Sequence, residues 1–275
     1  MQGMRLSCIQ MIVAIGDATR NCNAVCAAIR AEGAAHADLV VFPECALSGY
    51  VFETRVEAEQ SAIRLGGPEI ARIAEACRAS QTTAAVGCLE LSPDGRLFNS
   101  VVFVGPDGHL GSYRKTHLPH MGVDRFADRG DSLAPILTIA GTRVAALICY
   151  DGTFPEPARV LALQGAELLL LPTNWPNQEA DKGSFLPQTR ALENVIYVAA
   201  VNRVTTERSI EFRGNSSICD PSGTVLARGG TEACVLRAEI DPRIAREKRR
   251  DTVPGELWVD RFADRRPGLY GRIID

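Results

Sequence analysis

The sequence predicts an α/β fold in which strands and helices alternate, and three observations carry that prediction. Apolar runs of strand length recur between segments with the spacing of a buried helical face, such as Cys22, Val25, Cys26 and Ile29. Pro-Asp-Gly turns at 93–95 and 106–108 separate neighbouring strand candidates. No fixed-period repeat, low-complexity tract or long Pro/Gly/Ser linker interrupts the alternation, so residues 1–275 are read as one domain.

Taken in order, 6–13 reads as a first strand and 21–31 as an amphipathic helix. Residues 38–43 form a short buried strand. Pro68 suits a helix start, and Ile70, Ile73, Ala74 and Cys77 supply its apolar face. Three strands follow at 83–91, 97–104 and 109–118, then a pair at 136–139 and 144–149 around Gly141. A helix at 155–164 leads into the apolar run 168–171. Residues 185–194 read as helix, 195–201 as strand, and 214–225 as a hairpin turning at Pro221-Ser222-Gly223. The spacing of charges predicts a solvated helix at 243–250 with i, i+4 pairs, and an irregular tail at 261–270.

Composition excludes several classes. Hydrophobic residues are 46% and charged residues 23%, which is globular usage rather than disorder. A net charge of −3 with interleaved signs gives no electrostatic reason to expect nucleic acid or an anionic membrane as partner. The nine cysteines are odd in number and no signal peptide leads them, which speaks against a secreted disulfide framework. No stretch approaches the roughly 18 unbroken apolar residues of a membrane span. A soluble, cytoplasmic protein is the expectation.

Three segments, each at the end of a strand candidate, can carry chemistry. Val40-Val41-Phe42-Pro43-Glu44 places a carboxylate where ligand sites gather in α/β proteins. Tyr113-Arg114-Lys115-Thr116-His117-Leu118 offers Lys115 and His117, which point to one face if the strand continues through them. Ala145-Ala146-Leu147-Ile148-Cys149-Tyr150-Asp151 ends a buried strand in a cysteine just before a helix. That strand–turn–helix setting exposes a nucleophile and favours thiolate. Read singly, each residue has a plain structural alternative: a solvated loop charge for Glu44 and Lys115, a small core side chain for Cys149. The remaining cysteines follow that alternative. Cys8, Cys22, Cys26, Cys77 and Cys88 fall on apolar faces, Cys219 and Cys234 in packing positions, and Cys45 beside Glu44.

In combination these segments resemble the carbon–nitrogen hydrolase (nitrilase) superfamily. Its Phe-Pro-Glu, Tyr-Arg-Lys-x-His-Leu and Ile-Cys-Tyr-Asp-x-x-Phe-Pro-Glu signatures are matched, as are 171–175, 190–194 and 214–218. The resemblance implies a four-layer α-β-β-α sandwich, a homodimer or higher homo-oligomer, and a Glu44–Lys115–Cys149 catalytic set with no cofactor and no metal. Cys149 would attack an amide carbonyl to form a thioester. Glu44 would shuttle protons, while Lys115 and the Tyr150 N–H would stabilise the oxyanion. Asp124 stands where relatives carry a supporting glutamate, one methylene shorter, with Asp128 and Asp131 as fallbacks. Tyr50, Tyr150, Asn174 and Trp175 are the pocket candidates, and residues 250–275 a tail that packs on a partner subunit.

Relatives that grip a substrate carboxylate carry an arginine soon after the cysteine. Gly152 and Thr153 stand there instead, which predicts a neutral acyl group unless Arg125 or Arg190 substitutes. N-carbamoyl-amino-acid hydrolase and ω-amidase are the alternative activities, a non-catalytic binding protein a further one. Tyr150-Asp151 favours amides over nitriles. A Cys149–His117 pair is the chemical rival, and His117 with His120 lacks a third ligand for zinc.

Overall fold

The computed structural model describes residues 3–177 and 180–273, with the side chains of 180–184 outside the description. In chain order the first half holds β1 (Met4–Gln10), α1 (Ala18–Ala34), β2 (Leu39–Val41), α2 (Arg55–Gln60) and α3 (Pro68–Ser80). Strands β3 (Thr83–Leu91), β4 (Leu97–Gly105) and β5 (Gly108–Arg114) complete it. The second half runs through β6 (Leu137–Ile139), β7 (Thr142–Ala146), α4 (Pro155–Leu163), β8 (Leu168–Pro172), α5 (Ala180–Asn194) and β9 (Tyr197–Val201). A hairpin of β10 (Val204–Glu207) and β11 (Ile210–Arg213) follows, then β12 (Ser217–Cys219), β13 (Val225–Arg228) and β14 (Cys234–Ile240). Helix α6 (Pro242–Arg246) and a hairpin of β15 (Arg249–Val253) and β16 (Leu257–Asp260) end the regular structure.

Two six-stranded sheets result, ordered β14-β1-β2-β3-β4-β5 and β13-β12-β9-β8-β7-β6. In the first, β1, β2 and β3 are parallel and the outer strands antiparallel. The second repeats the pattern with β7, β8 and β9 as its parallel triplet.

Strand alternation builds the layers. Along β4, Val102 and Val104 join Cys22, Val25 and Ile29 of α1 and Ile70, Ile73 and Cys77 of α3 in one apolar cluster. Val101 and Phe103 face the other way, into a cluster shared with β7, β8, β9 and the inner faces of α4 and α5. Leu168 to Leu171 are all buried, as expected of a parallel strand covered on both faces. The architecture is the four-layer α-β-β-α sandwich. Burying one mid-sized aliphatic side chain in such a core stabilises by about 1.5–3 kcal/mol.

Most expected elements form, β3 with both ends as read and α3 with Pro68 at its start. The hairpin at 221–223 also forms, with Gly223 at φ 83 and its N–H donated to Asp220 O. Two expectations need correction. The strand expected over 109–118 stops at Arg114, so Lys115 and His117 do not share a strand face. The helix expected over 243–250 ends at Arg246, because Arg243 pairs with Asp241 and Arg246 with Glu167 rather than with i, i+4 partners. Arg249 onward is strand instead, paired with β16. Helix α2 and the two short hairpins β10–β11 and β15–β16 were not anticipated.

Candidate active site

The ends of β2, β5 and β7 converge at one edge of the two sheets. Glu44 follows β2 and is fully buried. Gly87 in β3 makes room for it: a Cβ there would lie 2.2 Å from Pro43 O and 2.8 Å from Glu44 Cα. Lys115, one residue past β5, is also fully buried. Its Nζ donates to Glu44 Oε1 at 2.8 Å and to Asp124 Oδ2 at 2.6 Å, and no third acceptor lies near it among the described residues.

Asp124 sits in a short 3-10 turn, Gly122–Arg125, and is 4% exposed. Asn99, near the start of β4, donates Nδ2 to both Glu44 Oε1 at 2.7 Å and Asp124 Oδ1 at 2.9 Å. The Tyr50 hydroxyl donates to Asp124 Oδ2 at 2.8 Å. Gly122, at φ 51, lets the Tyr50 ring press against this turn, since a Cβ would meet it at 2.2 Å. The shorter aspartate therefore reaches the lysine, because its turn is brought close.

Cys149 opens the 3-10 turn Cys149–Thr153 with φ 47, a strained setting for a residue with a side chain. Asp151 holds the turn. Its Oδ2 accepts from Ile148 N at 3.0 Å and from the Tyr113 hydroxyl at 2.8 Å. Arg190 of α5 braces the same turn by donating to Gly152 O at 2.9 Å and Thr153 O at 3.0 Å. Cys149 lies against a cavity of about 150 Å³ lined also by Pro119, His120, Met121, Tyr150, Thr153 and Trp175.

Electrostatics follow from burial and neighbours. Burial pushes Glu44 above the usual carboxylate range and Asp124 adds to it, while Lys115 pulls the other way. Burial alone would lower Lys115, but Asp124 and Glu44 raise it well above the ordinary lysine value, so the ammonium persists. Burial and then Glu44 hold the Cys149 thiol above its ordinary value, with Lys115 opposing. Burial thus favours the neutral form of the Cys149 thiol and raises the proton affinity of Glu44, which is in electrostatic reach of it. That pairing can perform proton transfer coupled to thiol attack.

The other candidates fall into two groups. Tyr150 and Trp175 line the cavity, whereas Tyr50 is fully buried behind Asp124 and away from the cavity lining. Asn174 is fully buried, and its Nδ2 and Oδ1, like Trp175 Nε1, have no partner among the described residues. His117 is bound through N and Nδ1 to Asp151 Oδ1 at 2.9 and 2.8 Å and stacks on Phe154 at 4.2 Å. Asp128 accepts from Leu97 N at 2.9 Å and Arg55 at 3.2 Å, and Asp131 is exposed. Arg125 donates to Gly122 O at 3.0 Å and Phe52 O at 2.7 Å. Among the described residues no cluster of three His, Cys, Asp or Glu could hold a metal. No helix there is long and apolar enough to cross a membrane.

Sequence reading missed Asn99 and Asp151, whereas 190–194 reads as a segment that holds its helix against its neighbours, as Arg190 does at Gly152 O and Thr153 O. Asn99 had a signal: it is a polar residue inside the otherwise apolar strand Leu97-Phe98-Asn99-Ser100-Val101-Val102.

Comparison with known proteins finds relatives that match nearly the whole chain. A nitrilase from Pyrococcus abyssi (strain GE5 / Orsay) is 34% identical over 271 residues, 98% of this chain and 100% of the relative. An (R)-stereoselective amidase from Pseudomonas sp is 33% identical over 269 residues, 98% of this chain and 93% of that one. Among solved structures, an amidase from Nesterenkonia sp. matches with a TM-score of 0.80 over 99% of this chain and 97% of that chain, at 24% identity. The carbon-nitrogen hydrolase family profile matches residues 5–250, and the chain belongs to that family as an amidase-like hydrolase of carbon–nitrogen bonds.

Proposed function

We propose that the protein hydrolyses a small uncharged amide through a thioester on Cys149. The observation that carries this reading is the single buried cluster of Glu44, Lys115 and Asp124 in electrostatic reach of Cys149. Cys149 Sγ attacks the amide carbonyl while Glu44 takes the thiol proton. Glu44 Oε2, buried and without a partner among the described residues, is the oxygen free to receive it. Lys115 and the Tyr150 N–H stabilise the oxyanion, each such donor contributing about 3–4 kcal/mol. Glu44 passes its proton to the leaving nitrogen, ammonia or an amine departs, and water activated by Glu44 releases the carboxylic acid. No cofactor is needed for this chemistry.

Two features favour a neutral, compact acyl group. The cavity is small, about 150 Å³. Arg125 and Arg190, the candidate carboxylate grips, are both tied to backbone carbonyls. Ammonia release would be compared for propionamide, an N-carbamoyl amino acid, an ω-amido acid and an aliphatic nitrile. The reading expects propionamide to be preferred and Cys149→Ala to be inert. Preference for an acidic substrate would overturn the specificity, and an active Cys149→Ala the mechanism.

We also infer a cytoplasmic homo-oligomer. Nine free thiols suit a reducing compartment. The C-terminal segment exposes Leu257, Trp258, Leu269 and Ile273, apolar side chains that a second copy would cover. Light scattering of Trp258→Ser would then show a smaller particle than the wild type. An unchanged mass would remove the tail from the interface.

A further inference from the structure

We infer that Arg203 and Glu207 form a remote brace that positions the acid–base cluster through the backbone and hydroxyl of Tyr50. Glu207 closes β10, in a hairpin whose Phe212 shares an apolar cluster with Tyr50. Its Oε1 accepts from Tyr50 N at 2.7 Å and from Val51 N at 2.5 Å. Its Oε2 is bound by Arg203 Nη1, and Arg203 Nη2 donates to Val13 O at 2.7 Å. Arg203 is fully buried and Glu207 is 3% exposed.

From Tyr50 the connection continues in two strands of contact. Tyr50 O accepts from Val123 N at 2.8 Å, fixing the turn that carries Asp124. The Tyr50 hydroxyl binds Asp124 Oδ2, the same oxygen that receives Lys115 Nζ. Arg203 and Glu207 are thus joined to Lys115 by an unbroken series of hydrogen bonds. None of the residues between them touches the substrate cavity.

Stability is a poor explanation for this pair. Two charges taken out of water are often replaceable by apolar side chains without loss of stability. What an apolar pair could not do is hold two consecutive N–H groups at one point. Glu207 is a positioning residue rather than a catalytic one, and this inference rests on the proposed roles of Glu44, Lys115 and Cys149.

The test uses the pH profile of Glu44, which is faced by Lys115, Asp124, Cys45, Cys149 and Tyr50 together with the Asn99 amide. When Tyr50 no longer holds Asp124, the Lys115 ammonium shifts towards Asp124 and away from Glu44. Glu44 then binds its proton more tightly, and the acidic limb of kcat/KM moves up in pH. Glu207→Gln is expected to lower kcat for propionamide by about 10- to 100-fold, as small misplacements of catalytic groups do, and to leave KM nearly unchanged. Tyr50→Phe should give the same limb shift. The double variant should be no slower than the slower single, because both act through one path.

Should Glu207→Gln fail to fold, Arg203→Met with Glu207→Leu leaves no charge buried alone and is read in the same way. A wild-type pH profile in the folded variant, or losses that multiply in the double variant, would overturn the brace. If Cys149→Ala is inert while Glu207→Gln behaves as wild type, the brace fails and the proposed mechanism stands. If Cys149→Ala turns over, the mechanism fails first.

Discussion

The two sheets present matching strand ends to the site but furnish them in opposite ways. Glu44 follows β2 and Asn174 follows β8, each the middle strand of a parallel triplet. Around Glu44, Asn99, Lys115, Asp124 and Tyr50 bond to one another in a network that leaves Glu44 Oε2 as its unpartnered oxygen among the described residues. Around Asn174, the two amide atoms and Trp175 Nε1 have no partner among the described residues. Buried polar atoms are normally paired, so these atoms, next to Cys149 and Trp175, are candidates to bond a bound molecule. The first sheet is organised for charges present before substrate arrives. The second keeps its hydrogen-bonding capacity open.

That contrast can be broken by exchanging the two behaviours. Lys115→Met removes the cation of the charged network and leaves Glu44 and Asp124 facing each other. A loss in kcat of about a thousandfold is expected in steady-state assays, the upper range for one oxyanion donor. A loss of less than tenfold would place the oxyanion elsewhere.

The charged side is also the one that depends on backbone shape. Gly87→Ala drives a methyl group into Pro43 O and the Glu44 backbone. Overpacking of this kind costs about 1–3 kcal/mol of stability. A lower melting temperature together with reduced kcat is expected, and an unaffected kcat would show that Glu44 tolerates displacement.

On the open side, Asn174→Leu keeps volume while removing both unpaired polar atoms. Since nothing in the free protein pairs with them, thermal stability should hold or rise. KM should increase by about tenfold, one hydrogen bond's worth of binding. Falling stability with unchanged KM would mean that Asn174 serves the fold.

The smallest effect concerns a network far from the site. Glu32 on α1 is bound by Arg237 Nε and Nη2, both at 2.7 Å, and by Ser7 at 2.9 Å. Burial raises its pKa, but these partners more than offset that and hold it below the usual carboxylate value. A depressed native value stabilises above the unfolded pKa and is lost as pH falls through the native one. Glu32→Gln should therefore lower the melting temperature at neutral pH, by about 1 kcal/mol of stability, and match the wild type in acid. A gap that persists in acid would assign the effect to packing.

The charged side was the more legible of the two. Glu44, Lys115 and Cys149 each stand within a few residues of a strand end, and strands such as Thr83–Leu91 announce themselves by apolar runs and turn residues. Their mutual contacts were not legible in the same way. Asn99 meets Glu44 from 55 residues away, and nothing local in the strand marks it beyond its polarity. Helix α2 buries Ala58 alone, so it has no apolar stripe to read. The β15–β16 hairpin is largely exposed and lacks the alternation of a half-buried strand. The polar and apolar pattern continues past Arg114 and so predicts a strand through Lys115. The chain instead leaves the sheet there, and the buried carboxylates decide where the ammonium goes.

The central claim is that Cys149, of nine cysteines, carries the acyl group. Intact-mass analysis of acid-quenched enzyme during turnover of propionamide tests it most directly, with peptide mapping to locate the adduct. The account predicts a propionyl mass increment on the peptide containing Cys149, absent from Cys149→Ala and accumulating in a variant slowed in deacylation. An increment on another residue, or full turnover by Cys149→Ala, would contradict it.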